Sequence, residues 1–389
     1  MEVKQIYSIV NDISNEVLGK TDIVSEDLTG IVDLGTEVFN QNAVDNYVKS
    51  LVNHIGKVVF VNRPYSGKVP SVLMDSWEFG SVLEKISADI PEANENSTWE
   101  LENGKQYAQD TFYKPTVSAK FYNSKVTFEV PVSITERQVK ESFSNAAQLN
   151  GFMSMIYNAV EKSMTIKTDA LVMRTIANMV AETLNADAAT FGELEPDYSK
   201  GTTTRCVNLL YSYNAKFGTK LTAEKAITDA DFIRYASLIM GTYADRMQSI
   251  SALFNVGGKE RFTSKDMLHV VLLSDFAKSA QTYLYSDTYN RADVLLPQAE
   301  TVPYWQASGK SYDFATISKI DVKSASGTDV AITGVLGVMF DRDALGVCNT
   351  DKRVTTNYNA KAEFYNNYYK FDASYFNDTN ENFVVFFVA

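Results

Sequence analysis

Residues Val126 to Ser163 read VTFEVPVSITERQVKESFSNAAQLNGFMSMIYNAVEKS, and within this stretch the sequence changes its period. Val126, Phe128, Val130 and Val132 alternate with other residues in the two-residue rhythm of a strand with one buried face. Further on, the apolar residues recur every three or four positions, and Leu149, Phe152, Met153, Ile156, Val160 and Met164 form one helical stripe. Ser133 and Glu136 have the spacing of a capping box and are expected to start the helical region. Val172, Ile176, Val180 and Leu184 continue the stripe with a slow drift, and neither Gly nor Pro interrupts Phe152 to Phe191. A helix of roughly 36 residues, at about 1.5 Å each, spans ~54 Å, longer than most globular helices. No sustained heptad accompanies it, so the expectation is a spine crossing a flat domain rather than a coiled coil.

Moving toward the N-terminus, Val117, Ala119 and Phe121 also alternate, and Asn123-Ser124 supplies a turn before Val126. This pattern predicts a β-hairpin with one buried face. The polar stretch 89 to 114, with Pro91 and Gly104, leads into it as a long loop. An isolated hairpin is marginal in water, so residues 89 to 132 are expected to project and pack on a neighbouring subunit. Before the loop lie two short amphipathic helices, one carrying Ile6, Ile9, Val10, Ile13 and Val17, the other Val44, Val48, Leu51 and Ile55. A short strand is expected at Lys57 to Val61. These pieces cannot make a core alone and read as an arm that lies on something else.

Toward the C-terminus, the linker from Pro196 to Gly201 opens a region of alternating helix and strand. Phe232, Ile233, Ala236, Ile239, Met240 and Tyr243 share a face of a helix over Ala230 to Met247. His269 to Leu273 is a short apolar strand, followed by a helix that Ser274 or Asp275 can cap and that runs through Tyr283. Ile317 to Val322, Ile332 to Phe340 and Ala362 to Phe371 read as strands. Phe383 to Val388 is a continuous apolar run, suited to a strand buried on both faces. The fold class is therefore α+β.

Charge narrows the partners. Acids outnumber bases 48 to 36 over the 389 residues, a net charge of −12, and the first sixty residues hold nine acids against four bases. A protein that grips nucleic acid pairs Lys and Arg with phosphates, so sequence-specific binding is not expected here. Two cysteines without CxxC spacing fit a reducing compartment, and no apolar run approaches the ~20 residues of a membrane span.

The inventory for catalysis is thin. His54 and His269 stand in unrelated segments, without a second ligand at helical spacing. Gly257-Gly258-Lys259 lacks the earlier glycine of a phosphate loop, where Leu253 stands, and Glu260 replaces its Ser or Thr. Asp341 and Asp343 form an Asp-Arg-Asp turn that reads as solvated, since alternate strand residues point apart. The aromatic cluster at Phe364, Tyr365, Tyr368, Tyr369, Phe371, Tyr375 and Phe376 reads as sheet packing rather than a base-stacking platform. No catalytic, cofactor-binding or metal-binding residue is assigned, and no cofactor is expected.

Three stretches together resemble a known family. They are Val126 to Ser163, quoted above, HVVLLSDFAKSAQTYLYSD from His269 to Asp287, and GVMFDRDALGVCNTDKRVTTNYNAKAEFYNNYYKFDASYFNDTNENFVVFFVA from Gly337 to Ala389. Their order resembles the coat fold of tailed phages and herpesviruses, the Hong Kong ninety-seven fold, and is most similar to capsid proteins of short-tailed phages of the phi twenty-nine kind. The resemblance implies a major capsid protein, not an enzyme, that assembles through hexamers and pentamers into a shell around double-stranded DNA. The alternative is an encapsulin-like or other virion shell protein of the same fold. The implied layout is an N-terminal arm (1–62), an extended loop with a β-hairpin (63–132), a peripheral domain around the spine helix (133–190), an axial domain (191–334) and a tail (335–389) returning to the peripheral domain. Implied partners are copies of the same chain, a portal protein, scaffolding or minor head proteins, and packaged DNA contacted non-specifically, with no membrane. Assembly is expected in the host bacterial cytoplasm.

Overall fold

The structure, a computed structural model, describes Asn11, Asn15 and residues 69–389 except 75–82, 92, 94, 96–99, 108–109, 111, 136–145, 193–195, 286–298, 307–310 and 325–326. Of the helices and strand expected in the N-terminal arm, only Asn11 and Asn15 are described, and both are helical; the rest lies outside the described residues. Along the chain come β1 (Leu73–Met74), β2 (Leu83–Ala88), β3 (Val117–Tyr122), β4 (Lys125–Thr135) and the long helix α1 (Ala146–Ala186). Next are β5 (Cys206–Asn208), α2 (Leu209–Phe217), α3 (Ala230–Arg246), β6 (Leu268–Leu273), α4 (Ser274–Tyr285) and β7 (Glu300–Val302). Strands β8 (Ile320–Lys323), β9 (Asp329–Ile332), β10 (Val335–Asp341), β11 (Leu345–Asn359), β12 (Phe364–Asn377) and β13 (Phe383–Phe387) complete the order.

Two compact units form, one from Ser66–Val130, Ser163–Thr355 and Tyr368–Ala389, the other from Met1–Tyr65, Pro131–Lys162 and Thr356–Asn367. The larger unit is organised by a five-stranded sheet in the order β5-β13-β10-β6-β7. Strand β13 lies antiparallel to β10 and parallel to β5, and β10 lies antiparallel to β6. Period-two pleating sends Phe383, Val385 and Phe387 into one core and Val384 and Phe386 into the other. Strand β6 divides in the same way, with Val271 and Leu273 on the first side and Val270 and Leu272 on the second. The first core takes Leu171, Val172, Ile176, Val180 and Leu184 of α1, and the second takes the apolar faces of α2, α3 and α4. A strand covered on both faces has no side that tolerates charge, so its sequence is a continuous apolar run.

Local chemistry sets the element ends. Asn208 caps α2 by accepting from the Tyr211 N–H at 3.0 Å, and Gly218 closes that helix at φ 65°. Asp229 caps α3 by accepting from the Phe232 N–H at 2.8 Å. In α1, Thr175 and Thr183 are buried because each hydroxyl donates to the carbonyl four residues earlier, at 2.8 Å. The strand expected over Ile332 to Phe340 is split between β9 and β10. Gly334 sits between them at φ 91°, and a Cβ there would meet the Val388 carbonyl oxygen at 1.9 Å. The strand expected over Ile317 to Val322 starts late, because Asp313 caps a helical turn, Phe314–Ile317, before β8 begins.

A second sheet has the order β1-β11-β12-β4. Phe128 of β4 stacks on Phe371 of β12 at 4.9 Å, and Thr127 donates to Asp372 at 2.6 Å. In the smaller unit, Ser133 donates to Asn366 at 2.5 Å and the rings of Tyr358 and Tyr365 lie 4.6 Å apart. Ser133 is therefore a strand residue of β4 and not the expected helix cap, because the side chain that would cap finds a partner in β12. Glu136 lies outside the described residues.

The expected hairpin is also corrected. Strand β3 does not pair with β4 across Asn123-Ser124; it pairs with β2 as a separate two-stranded sheet. The two-stranded arm exists, with residues 89 to 116 as its connection, but β4 belongs to the four-stranded sheet. Tyr375 of β12 anchors the start of β4 by donating its N–H to the Ser124 carbonyl at 3.1 Å.

Candidate assembly surface

Strands β2 and β3 run antiparallel from Leu83 opposite Tyr122 to Ala88 opposite Val117. Pleating sorts the six pairs onto two faces. Leu83/Tyr122, Lys85/Lys120 and Ser87/Ser118 are half-buried, whereas Glu84/Phe121, Ile86/Ala119 and Ala88/Val117 are exposed. Exposure reaches 65% at Ile86, 64% at Phe121 and 58% at Val117. The alternation in the sequence is present, and Ile86, Val117 and Phe121 point away from their own subunit.

The polar face wins the inward position because the subunit offers carboxylates there. Lys85 donates to Asp378 at 2.9 Å, to Glu381 at 3.0 Å and to the Asp343 carbonyl at 3.0 Å. Lys120 donates to the other Asp378 oxygen at 3.0 Å, and Ser87 and Ser118 meet at 3.1 Å. Arg261 approaches Glu381 at 3.5 Å. Burial pushes the Asp378 carboxyl up, but the Lys85 ammonium, the Asn380 N–H and Lys120 outweigh it and hold it at about 2. A buried carboxylate without such partners would cost several kcal/mol, more than a few half-buried methyl groups return. Tyr122 adds an aromatic contact to Phe376, with ring centroids at 5.3 Å.

The connection beyond the ribbon extends the outward apolar surface. Ile90, Leu101, Tyr107, Phe112 and Tyr113 are all exposed, with Phe112 at 84%. Its base is closed by the Asp89 N–H donating to the Thr116 carbonyl at 2.9 Å and by Lys259 reaching Asp89 at 2.7 Å. Apolar exposure on this scale, rimmed by polar residues, marks a contact surface.

The residues considered for chemistry are scattered. His54 lies outside the described residues. His269 stacks on Phe340 at 5.6 Å, and burial pushes its pKa down. Cys206 and Cys348 are buried and form no disulfide; the Cys206 thiol donates to the Thr183 carbonyl at 3.5 Å, and burial pushes its pKa up. The Asp-Arg-Asp turn is solvated at Arg342 and Asp343 but not at Asp341. Asp341 is buried and accepts from Thr263 at 2.7 Å and from the Asp343 N–H at 2.9 Å, while Asp343 is exposed. The turn therefore braces the end of β10. The Gly257 N–H donates to the Thr379 carbonyl at 2.8 Å, and a Cβ there would meet Asn380 at 2.0 Å, so this glycine serves a close chain crossing. A cleft of about 370 Å³ is lined by Thr202, Thr204, Ser212, Tyr235, Tyr243 and Arg246 among others, with no carboxylate or imidazole in its wall. Among the described residues, no three His, Cys, Asp or Glu side chains gather as a metal site.

Sequence reasoning passed over Lys85, Lys120, Asp378 and Glu381. The available signal was a lysine on the polar alternation of each strand, a pattern that ordinarily marks a solvent-facing side. The pairing β2–β3, which sets the two lysines opposite each other, was not readable.

A family model described as Phi29-like phage major capsid protein matches residues 6–387. Among solved structures, the capsid of Staphylococcus phage Andhra aligns with TM-score 0.52 at 9% identity, covering 86% of this chain and 87% of that one. The capsid of cyanophage P-SCSP1u aligns with TM-score 0.47 at 12% identity, covering 87% and 96%. No curated protein sequence matches the chain. With a fold shared with a phage capsid and a family match over nearly its whole length, the chain belongs to the Phi29-like phage major capsid proteins, which build the virion shell and are structural rather than enzymatic.

Proposed function

We propose that this subunit closes the shell through hexamers and pentamers, with the β2–β3 ribbon and residues 89 to 116 lying on a neighbouring copy. The observation that carries this reading is the outward face of Ile86, Val117 and Phe121, apolar and uncovered by its own chain. Specific contacts of ordinary size bury ~1,600 Å², and a closed assembly holds each subunit by several of them at once. The shell encloses double-stranded DNA without gripping it, in keeping with a net charge of −12. A portal protein and scaffolding or minor head proteins complete the head, assembled in the host cytoplasm. Residues 1–62, 63–132, 133–190, 191–334 and 335–389 serve as arm, loop, peripheral domain, axial domain and returning tail. Because β10 and β13 share a sheet with β5, β6 and β7, the tail is tied to the axial segment as well.

The test replaces the outward face by Ile86→Ser together with Phe121→Ser. The expected result is a folded subunit with normal circular dichroism whose particle yield, by sedimentation and negative-stain microscopy, falls at least about tenfold. Parent-level particle yield from this variant would overturn the reading.

A further inference from the structure

The inward face of the ribbon carries a conflict that only the rest of the subunit resolves. Lys85 and Lys120 are directly opposed in the β2–β3 register. Like charges at opposed positions of an antiparallel pair destabilise it. Asp378 lies between them and gives one oxygen to each, Oδ2 to Lys85 at 2.9 Å and Oδ1 to Lys120 at 3.0 Å. Its side chain is only 3% exposed, so the contact is made largely out of water. The loop that carries it is itself fixed: the Asp378 N–H donates to the Ala344 carbonyl at 2.7 Å, and the Asn380 N–H donates to Asp378 Oδ1 at 3.0 Å. Apolar docking on this side is slight, with Tyr122 against Phe376 as the ring contact.

From this geometry we infer that Asp378 is an electrostatic clasp, which holds the β2–β3 ribbon in place on its own subunit by cancelling the repulsion between Lys85 and Lys120. The clasp is reversible by design of its chemistry: it consists of ion pairs between a two-stranded arm and a loop, and its opening leaves the two cores on either side of the main sheet intact. The groups facing Asp378 are Lys85 on β2, Lys120 and Tyr122 on β3, and Glu381 beyond it, with Arg261 on the far side of Glu381. The ribbon is thereby set in position before any neighbour arrives, and an assembling shell meets a prepared arm. This consequence rests on the shell reading above; the clasp itself is a property of the single subunit.

Hydrogen–deuterium exchange on the full-length, unassembled chain tests it. Asp378→Asn keeps the acceptor for the Asn380 N–H but leaves the two ammonium groups facing each other. Amides of residues 83–88 and 117–122 are expected to exchange about tenfold faster or more, with those of β10 and β13 unchanged. Adding Lys85→Met and Lys120→Met removes the repulsion, and exchange is expected to return to within about threefold of the parent. Unchanged ribbon exchange in Asp378→Asn overturns the inference. So does equal acceleration in β10 and β13, which would make Asp378 a core brace, and so does a triple variant as fast as the single one. Should Asp378→Asn fail to fold, Asp378→Asn with Lys120→Met is read instead: ribbon exchange within about threefold of the parent supports the clasp, and exchange about tenfold faster overturns it. Particle yield is scored separately, so a failure to assemble is not mistaken for a failure of the clasp.

Discussion

Strand β13 and strand β3 are both short and both rich in apolar residues, yet they meet opposite fates. In β13 every residue from Phe383 to Phe387 is buried, because cores lie on both faces of its sheet. In β3 the apolar residues Val117, Ala119 and Phe121 face outward, and Ser118, Lys120 and Tyr122 face the subunit. The difference lies in what each strand is offered. The main sheet offers hydrocarbon on both sides, so apolar residues gain roughly 25 cal/mol for each Å² they bury. The ribbon is offered two carboxylates, and their desolvation outweighs the transfer of a few methyl groups. Within one subunit, apolar residues therefore mark the interior in one place and an exposed outer face in another.

The contrast is sharpest where a charge is forced into the hydrocarbon core. Val180→Asp on α1, a residue with no exposure, should cost about 4 kcal/mol or more and leave little soluble folded protein, judged by expression and circular dichroism. Ile156→Asp on the same helix should be milder, since that side chain is only half-buried. Equal damage from both would mean that depth in α1 does not order the effects.

A smaller effect comes from acid, and it separates the ribbon from the core. The folded pKa of Asp378, about 2, lies below its ordinary 3.8, so the stability it contributes is complete above 3.8 and is lost as pH falls through 2. Exchange protection of residues 83–88 and 117–122 should accordingly be flat above about pH 5, after correction for intrinsic rates, and decline across that acid window. Lys85 has the opposite sign. Burial lowers its pKa, but Asp378 and Glu381 more than offset this, so its net pKa is raised, and its contribution fades only on the alkaline side. Loss of ribbon protection near neutrality would contradict this account.

The smallest expected effect is at Asp343, whose exposed side chain lies beside the clasp while its backbone carbonyl does the bonding. Asp343→Asn should shift stability by no more than ~0.5 kcal/mol and leave ribbon exchange and particle yield near parental values. A large loss would assign the carboxylate a role that its geometry does not show.

Much of the fold was legible because its elements carry long or two-sided patterns. The uninterrupted stripe from Val160 to Leu184 announced α1, and the run at Phe383 announced a strand buried on both faces. What failed was pairing. The turn at Asn123-Ser124 was read as joining partners, but partner choice depends on residues such as Asp378 that lie more than 250 positions away. Ser133 carried a capping signature that a contact to Asn366 overrode. The presence of only two histidines and two cysteines could be read directly, since it depends on residue types rather than on contacts. The charged cluster under the ribbon could not, because lysines on alternate strand positions look solvent-facing until a buried carboxylate is found beneath them.

The central place of β13 has a consequence for the order of events during synthesis. Val385 pairs with Cys206, and Val338 of β10 pairs with Val385 on the other side, so β13 is the bridge between strands made far earlier. A nascent chain that stops before Phe383 has β5 without a neighbour in its sheet and two cores open along one edge. If it stops before Asp378, the ribbon also lacks the group that holds it. Pairings this distant in sequence are slow to form and leave apolar surface exposed meanwhile. Translation must therefore run through residue 387 before the main sheet can close and both of its cores can be sealed.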